Sequence, residues 1–175
     1  MHLPTLEKEC SHFLNTTKKL FLEKYLPIQG DGFRKVKVRK KNKHDFFVDV
    51  FNKSFSEHKN IFQRSIFANS ENPSVSHESY EPFYIFPIDG YKFIYNPTVK
   101  NASLQYQQNI QELMRRVSKE SAIDIFANLI KQSYLSENLS EGIKIGAEII
   151  VYNIPYYYAI RKNIIDDYND FSYYA

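Results

Sequence analysis

The strongest constraint on the fold of this chain is an Asp-Gly pair set between two aromatic runs. Phe83-Tyr-Ile-Phe-Pro-Ile88 precedes Asp89-Gly90, and Tyr91-Lys-Phe-Ile-Tyr95 follows it. A two-residue loop of type I′ needs positive φ at both positions, which Asp-Gly tolerates well. The pattern therefore predicts a tight hairpin of two antiparallel strands. Pro87 has no N–H to donate, so we expect at least one of these strands to be an edge near the turn.

In the first half of the chain, the spacing of the apolar residues changes once. Apolar residues from Leu6 to Tyr25 recur at three- and four-residue steps and predict one N-terminal helix of about 20 residues, with Cys10 on its core face. After the glycines at 30 and 32 the period becomes two. Val36 and Val38 then share one side of a strand, and Lys35, Lys37, Arg39 and Lys41 share the other. Two more strands are predicted at 46–51 and 61–67.

The second half is predicted to be mainly helical. Asn101 is the expected cap of one helix, and Ser118 or Ser121 of the next. A third helix is expected from Ser140, whereas 149–154 fits either a helix or a buried strand. Together these patterns predict a single α+β domain over 1–175. It has an N-terminal helix, an antiparallel sheet of about four to five strands with the Asp-Gly hairpin, and a helical C-terminal half.

Length and cysteine content restrict the class of protein. The chain has 175 residues and one cysteine, so one domain is expected and no intramolecular disulfide can form. No apolar run approaches the roughly 18 residues of a transmembrane helix, and the N-terminus has no apolar signal segment. We therefore expect no membrane partner and a reducing compartment: a virion assembled in the host cytoplasm, or the cytoplasm itself.

Positive charge is concentrated in one stretch of the first half. Residues 1–64 hold 14 Lys and Arg against 7 Asp and Glu, whereas 65–175 hold 9 against 13. Seven cations fall within ten residues: Arg34, Lys35, Lys37, Arg39, Lys40, Lys41 and Lys43. Three interpretations stay open. They could neutralise nucleic-acid phosphates while Phe33, Phe46 or Phe47 stack on bases, meet an acidic protein, or protect a sheet edge from pairing.

Two further groups are candidates for contact with a partner. Tyrosines crowd the C-terminal part of the chain, with Tyr152, Tyr156, Tyr157 and Tyr158 closest together. Tyrosine is common at interface hot spots, so these side chains predict an adhesive surface, although half-buried packing is the alternative. The tail 166–175 is acidic and aromatic and begins with Asp166 and Asp167. It could dock on the basic strand of a neighbouring subunit or remain a solubilising terminus.

Motifs for catalysis, metals and cofactors are missing from the sequence. The five histidines have no HxH or HExxH spacing, and there is no CxxC, Walker loop, GxGxxG or GxSxG. His44 with Asp45 and Asp49, or Glu57 with His58, are more typical of solvated surface pairs than of acid–base pairs. We therefore predict no catalytic residues, no metal ligands and no cofactor, and a non-enzymatic function; a small enzyme or an inhibitor of host defence is the alternative.

One resemblance concerns the second half of the chain. Phe86-Pro-Ile-Asp-Gly-Tyr-Lys-Phe-Ile-Tyr95, a polar helix, and Gly146-Ala-Glu-Ile-Ile-Val-Tyr-Asn-Ile-Pro-Tyr-Tyr-Tyr-Ala-Ile-Arg161 together resemble tail-completion or neck proteins of contractile-tailed phages. The resemblance implies a ring-forming virion subunit that caps the tail tube and joins it to sheath or head. It carries over no functional residue. The expected partners are further copies of the chain and other virion proteins, with nucleic acid as the alternative.

Overall fold

The computed structural model describes residues 3–18, 20–40, 46–55, 61–69 and 79–167. Its elements in chain order are α1 (Leu3–Glu9), α2 (Ser11–Thr17), β1 (Leu22–Pro27), β2 (Phe33–Lys37), α3 (Phe46–Ser54), a 3₁₀ turn (Ile61–Arg64), β3 (Ile66–Ala68), β4 (Tyr80–Pro87), β5 (Lys92–Tyr95), α4 (Ala102–Arg116), α5 (Lys119–Ser133), α6 (Leu139–Lys144), β6 (Ile149–Tyr152), β7 (Tyr156–Arg161) and α7 (Lys162–Asp167). The predicted α+β class is confirmed.

Within the described residues, seven strands form two antiparallel sheets. Sheet A has the order β1-β4-β7-β2, and sheet B has the order β3-β6-β5. The side chains of strand β6 point alternately into two hydrophobic cores. Ile149 and Val151 belong to one core with α1, α2 and sheet A, whereas Ile150 and Tyr152 belong to a second core with α3, α4 and α5. The elements therefore stack in four layers: helices α1 and α2, sheet A, sheet B, and the helical layer.

The predicted 20-residue N-terminal helix is wrong. Two short helices meet at Cys10, the second ends at Lys18 with φ of 45°, and β1 follows as a strand. Asp89 stabilises the break, because its carboxylate accepts hydrogen bonds from the Ser11 hydroxyl at 2.7 Å and from the His12 N–H at 2.9 Å. This cap comes from a distant part of the chain, so local periodicity could not reveal it. Cys10 is buried, as predicted.

The predicted Asp-Gly hairpin is also wrong, although the turn itself exists. Tyr91 N–H bonds to the Ile88 carbonyl at 3.3 Å, and Gly90 has φ of 88°. Asp89 does not have positive φ, which is the pattern of a type II turn rather than type I′. The flanking strands do not pair with each other. Strand β4 pairs with β1 and β7 in sheet A, while β5 pairs with β6 in sheet B.

Two other strand predictions need correction. Residues 46–51 belong to helix α3, in which Val48, Val50 and Phe51 are buried. This segment is short and apolar on both sides of an alternating pattern, so the sequence period alone did not separate strand from helix. Of the strand predicted at 61–67, only Ile66 and Phe67 are extended, as part of β3, and a 3₁₀ turn precedes them.

The helical prediction for the second half holds as far as Lys144. The Asn101 side chain caps α4 by accepting from Leu104 N–H, and Ser118 caps α5 by accepting from Ser121 N–H. Beyond α6, the ambiguous stretch is the strand β6, and β7 is a strand that the sequence did not predict. Among the described residues, no helix combines the length and the apolar character that crossing a membrane requires.

Candidate interaction surfaces

One candidate site is a groove of about 580 Å³ on sheet A, which we call the basic groove. Both edge strands of sheet A line it, with β3 from sheet B. Its lining residues are Lys24, Leu26, Pro27, Gln29, Arg34, Lys35, Val36, Lys37, Val38, Arg39, Ser65, Ile66, Phe67 and Tyr157. The lining thus combines apolar and cationic residues.

The lining of the basic groove has an excess of positive charge, which Glu9 near Lys35 and Glu148 near Lys24 offset only in part. Five lining residues are Lys or Arg and none is Asp or Glu. The ion pairs of the described residues involve other cations, and none includes a groove residue. A concave surface lined by one sign of charge concentrates counter-ions of the other sign. The groove is therefore suited to an anionic partner.

Two cations are held in place inside the groove. The Arg34 guanidinium lies over the Phe83 ring, 4.3 Å from its centroid, and Nη2 donates to the Pro27 carbonyl at 2.9 Å. Lys24 Nζ donates to the Phe67 carbonyl at 2.8 Å, and burial lowers the pKa of this lysine. Lys24 was not predicted as a site residue, because its segment was predicted to be helical. The alternation of Leu22, Lys24 and Leu26 was the available signal of a strand.

Strand β2 presents different chemistry on its two sides, as predicted. Arg34, Val36 and Val38 share one side, and Lys35, Lys37 and Arg39 share the other, where all three are exposed. The Lys35 ammonium lies 3.5 Å from the centroid of the Tyr156 ring, a cation–π contact. Lys41 and Lys43, also predicted to belong to this surface, lie outside the described residues.

The backbone of β2 is an edge of sheet A. Among the described residues β2 pairs only with β7. Val38 N–H bonds to the Pro155 carbonyl at 2.9 Å, and the Gly32 carbonyl accepts from Arg161 N–H at 2.7 Å. Because backbone direction alternates along an antiparallel strand, Lys35 and Lys37 direct their N–H and C=O groups away from β7. These groups are positioned to pair with an added strand.

The predicted tyrosine surface is wrong for three of its four residues. Tyr152, Tyr157 and Tyr158 are each 4% exposed, and Tyr156 is half-buried. They lie on β6 and β7, which have neighbours on both sides in their sheets. The layers packed on sheets A and B cover the faces of these strands, and tyrosine fits there when its hydroxyl finds a partner. Burial raises the pKa of Tyr157 to about 12.

One carboxylate supplies that partner for two of the tyrosines. Glu9, the last residue of α1, accepts from the Tyr158 hydroxyl at 2.8 Å and from the Tyr156 hydroxyl at 2.9 Å. These two hydrogen bonds, with the charges of Lys35 and Lys8, lower the pKa of Glu9. The cluster holds α1 against sheet A and leaves the tyrosine hydroxyls occupied.

The acidic tail is described only at its start. Asp166 is exposed in α7 and accepts a hydrogen bond from the Tyr84 hydroxyl at 3.1 Å. Asp167 is the last residue of α7, and 168–175 lie outside the described residues. The contact between this tail and Lys35, Lys37 and Arg39 of a neighbour stays a prediction.

A second groove, of about 330 Å³, lies between α4 and α5. Its lining residues are Asn109, Glu112, Leu113, Arg116, Ile125, Phe126 and Leu129. Ile125 is 50% exposed and Leu129 45% exposed. The two helices carry more apolar positions than one core-facing stripe needs, and that surplus was the signal of an exposed face.

Catalytic geometry does not emerge from the described residues. Within them, no group of three or more His, Cys, Asp or Glu side chains could hold a metal ion. Burial raises the pKa of the Cys10 thiol to about 12, so it is not a nucleophilic thiolate. Asp49 pairs with Lys119 at 3.7 Å, while His44, Asp45, Glu57 and His58 lie outside the described residues.

Comparison with protein-family models, with curated proteins and with solved structures finds no match to this chain.

Proposed function

We propose that this chain is an assembly protein that binds an acidic, extended protein segment along the β2 edge and in the basic groove. The single observation that carries the proposal is a groove beside an edge strand, lined by five cations, several apolar residues and no acidic residue. An extended segment that adds to a sheet edge gains affinity from main-chain hydrogen bonds. It gains specificity from side chains that alternate between the two faces of the sheet.

The aromatic residues favour a protein partner over single-stranded nucleic acid. Binding of single strands combines phosphate contacts with aromatic rings on which bases stack. Phe33 is instead stacked on Tyr158, with ring centroids 5.5 Å apart, and Phe46 packs edge-on against Phe126 at 6.0 Å. The rings expected to stack on bases are therefore engaged within the protein. The apolar lining residues Leu26, Val36, Val38 and Ile66 suit peptide side chains.

The resemblance to tail-completion or neck proteins of contractile-tailed phages belongs to this proposal. A ring subunit must contact a neighbour on each side through two different surfaces. The β2 edge with the basic groove and the exposed groove between α4 and α5 are two such surfaces, of different chemistry. In this role the protein is a virion component, and its partners are further copies of itself and other virion proteins.

The test is a titration of a fluorescein-labelled peptide of alternating Glu and Val against the full chain, followed by fluorescence anisotropy. We expect Lys37→Glu with Arg39→Glu to weaken binding by at least about tenfold, because two attractive charges become repulsive. The matched control is Lys92→Glu with Lys131→Glu, which reverses two exposed lysines on β5 and α5. Raising the salt concentration should weaken the wild-type complex.

Two outcomes contradict the proposal. Equal affinity of the groove variant and the control variant would show that the basic groove is not the docking site. Tight binding of mixed-sequence single-stranded DNA, lost in the groove variant while the peptide fails to bind the wild type, would assign the same surface to nucleic acid instead.

A further inference from the structure

We propose that the part of the basic groove between sheet A and β3 is an anion site, in which Arg34 and Lys24 bind a carboxylate or a phosphate group. The proposal rests on the proposed function for one source of the anion, an acidic side chain of the bound segment. Lys35, Lys37 and Arg39 lie on the other side of β2. The anion site is therefore distinct from the exposed cations of that strand.

The two cations of the anion site lie at the same place on sheet A, beside Phe83. Lys24 on β1 is the register partner of Phe83 on β4, and directly opposite residues of an antiparallel pair share one face of the sheet. The Arg34 guanidinium reaches that face from β2 and lies over the Phe83 ring, 4.3 Å from its centroid. Positive side chains from the two edge strands of sheet A therefore converge on one buried ring.

Both head groups are held by backbone carbonyls and keep further N–H donors. Arg34 Nη2 donates to the Pro27 carbonyl at 2.9 Å and Nη1 to the Gln29 carbonyl at 3.4 Å. Its Nε is buried and has no hydrogen-bond partner among the described residues. Such a donor is rare in folded proteins, and a bound ion is one of its explanations. Lys24 Nζ donates to the Phe67 carbonyl at 2.8 Å, which leaves other hydrogens of the ammonium for an acceptor.

The carboxylates near the anion site balance its charge only in part. Burial lowers the pKa of Lys24, and the charge of Glu148 acts in the opposite direction without cancelling that effect. Glu148 also accepts a hydrogen bond from Ala102 N–H at 2.9 Å, and Glu81 is paired with Arg161 at 2.7 Å. An anion that accepted a hydrogen bond from Lys24 would favour its ammonium form and oppose the effect of burial.

The chemistry of the lining favours a compact oxyanion. A guanidinium presents parallel N–H groups that match the oxygens of carboxylates and phosphates, and an ammonium adds a point charge. Tyr157 lines the same groove. Burial raises the pKa of its hydroxyl and the charge of Arg34 opposes that rise, so the two groups are close. Carboxylate and phosphate are therefore the expected ligands, and chloride is expected to fit poorly.

A titration of the full chain with inorganic phosphate, followed by backbone amide resonances in NMR spectra, tests the site. Sodium chloride at equal ionic strength is the reference for general screening. We expect saturable shifts at Lys24 and Arg34 with phosphate, and binding at least about tenfold weaker in Lys24→Met, which loses a charge-assisted hydrogen bond. Lys92→Met, which removes an exposed lysine on β5, is the matched control and should bind like the wild type. Equal shifts with chloride, or equal affinity of the two variants, would overturn the proposal.

A second measurement uses the unchanged chain and so does not depend on the folding of Lys24→Met. The wild type is treated with a limiting amount of an acetylating ester, and the modified lysines are identified by mass spectrometry. Phosphate should slow the acetylation of Lys24 severalfold and leave that of Lys92 unchanged, because a bound anion favours the unreactive ammonium. If phosphate and chloride affect both lysines alike, the anion site does not exist. Native folding of the variants is checked by protection of the buried Cys10 thiol from alkylation.

The labelled Glu-Val peptide identifies the source of the anion and separates this proposal from the proposed function. If phosphate displaces the peptide more strongly than chloride does, and Lys24→Met weakens peptide binding, an acidic side chain occupies the site. If phosphate binds and leaves the peptide in place, the site takes free phosphate, which also supports the proposal. Normal peptide binding without phosphate binding would contradict the anion site and leave the proposed function intact. Phosphate binding by a chain that does not bind the peptide would contradict the proposed function alone.

Discussion

Strands β2 and β7 are hydrogen-bonded neighbours from Phe33↔Ile160 to Lys37↔Tyr156, yet β7 is mostly buried and β2 is partly exposed. Strand β7 is sealed, with Ala159 fully buried and Ile160 1% exposed. Strand β2 keeps Lys35 and Lys37 exposed. The difference follows from their places in sheet A, because β7 has strands on both sides and β2 on one. Position in the sheet, rather than residue type alone, separated the buried strand from the exposed strand that we propose as a docking surface.

The chemistry of tyrosine and of lysine explains why tyrosines can be buried on β7 and lysines stay exposed on β2. A buried tyrosine keeps one polar group, and Glu9 satisfies the hydroxyls of both Tyr156 and Tyr158. A buried ammonium would need an ionic partner, because removing an unpaired charge from water costs far more than removing a hydroxyl. Strand β2 can therefore carry lysines only where water or a partner reaches them.

The largest expected effect comes from removing a β7 tyrosine. Tyr158→Ala should lower the free energy of unfolding by about 3–5 kcal/mol, because it leaves a cavity where a buried aromatic ring stood. Tyr158→Phe keeps the ring and loses the bond to Glu9, so its expected cost is about 1 kcal/mol. Urea denaturation measures both. A loss below about 1 kcal/mol for the alanine variant would contradict the core position of β7.

The next effect appears at low pH. The folded-state pKa of Glu9 is lowered, first by the hydrogen bond from Tyr158 and then by that from Tyr156. Its ionised form therefore stabilises the fold above the ordinary value of 4.5, and this contribution is lost as the pH falls through the lowered pKa. We expect Glu9→Gln to be less stable than the wild type at neutral pH. The two should converge below pH 4.5.

Denaturant midpoints at several pH values measure this convergence. Glu137→Gln, which changes an exposed carboxylate in the loop before α6, is the control and should follow the wild type throughout. A constant gap between Glu9→Gln and the wild type down to strongly acidic pH would show that the carboxylate charge does not hold α1 against β7.

A smaller effect is expected on β2. Lys37→Ala should change the free energy of unfolding by no more than about 0.5 kcal/mol, because the side chain is exposed and has no ion-pair partner among the described residues. The same variant should bind the Glu-Val peptide more weakly. Chemical denaturation and fluorescence anisotropy on one preparation measure the two quantities. A large stability loss would place Lys37 in the structural core rather than on a docking surface.

The smallest expected effect is a difference in amide hydrogen exchange along β2 in the unchanged chain. In monomeric protein, the amide hydrogens of Lys35 and Lys37 should exchange with solvent faster than those of Arg34 and Val36, which point towards β7. Hydrogen exchange followed by NMR resolves the four amides. Equal protection of all four would mean that another segment already pairs with the outer edge of β2. Protection that appears only on assembly would support strand addition.

Local features of the fold were predictable from the sequence. The caps Asn101 and Ser118 and the alternation along β2 were placed correctly, because each depends on residues a few positions apart. The split of the N-terminal helix was not predictable, since the carboxylate that stabilises it is Asp89. Likewise the Asp-Gly turn could be located, but its flanking strands joined different sheets because other partners were available to both.

The candidate site divides in the same way. Arg34, Lys35, Lys37 and Arg39 were predicted from composition and period, whereas Lys24 was missed because β1 was taken for part of a helix. The tyrosine prediction failed for a related reason. The density of tyrosines was visible, but nothing within the segment shows that β7 lies between β4 and β2.

The sequence by itself determined the class of the fold, the helix caps, the basic strand and the acidic aromatic tail, because these depend on residue type and short-range spacing. Only the tertiary structure decided which strands are central and which are edges. That choice depends on pairings such as Phe86↔Tyr158 and Val36↔Tyr157, between residues far apart in the chain. Whether a side chain is core or surface is set by those pairings, so burial of the tyrosines and exposure of the lysines emerged together when the sheet formed.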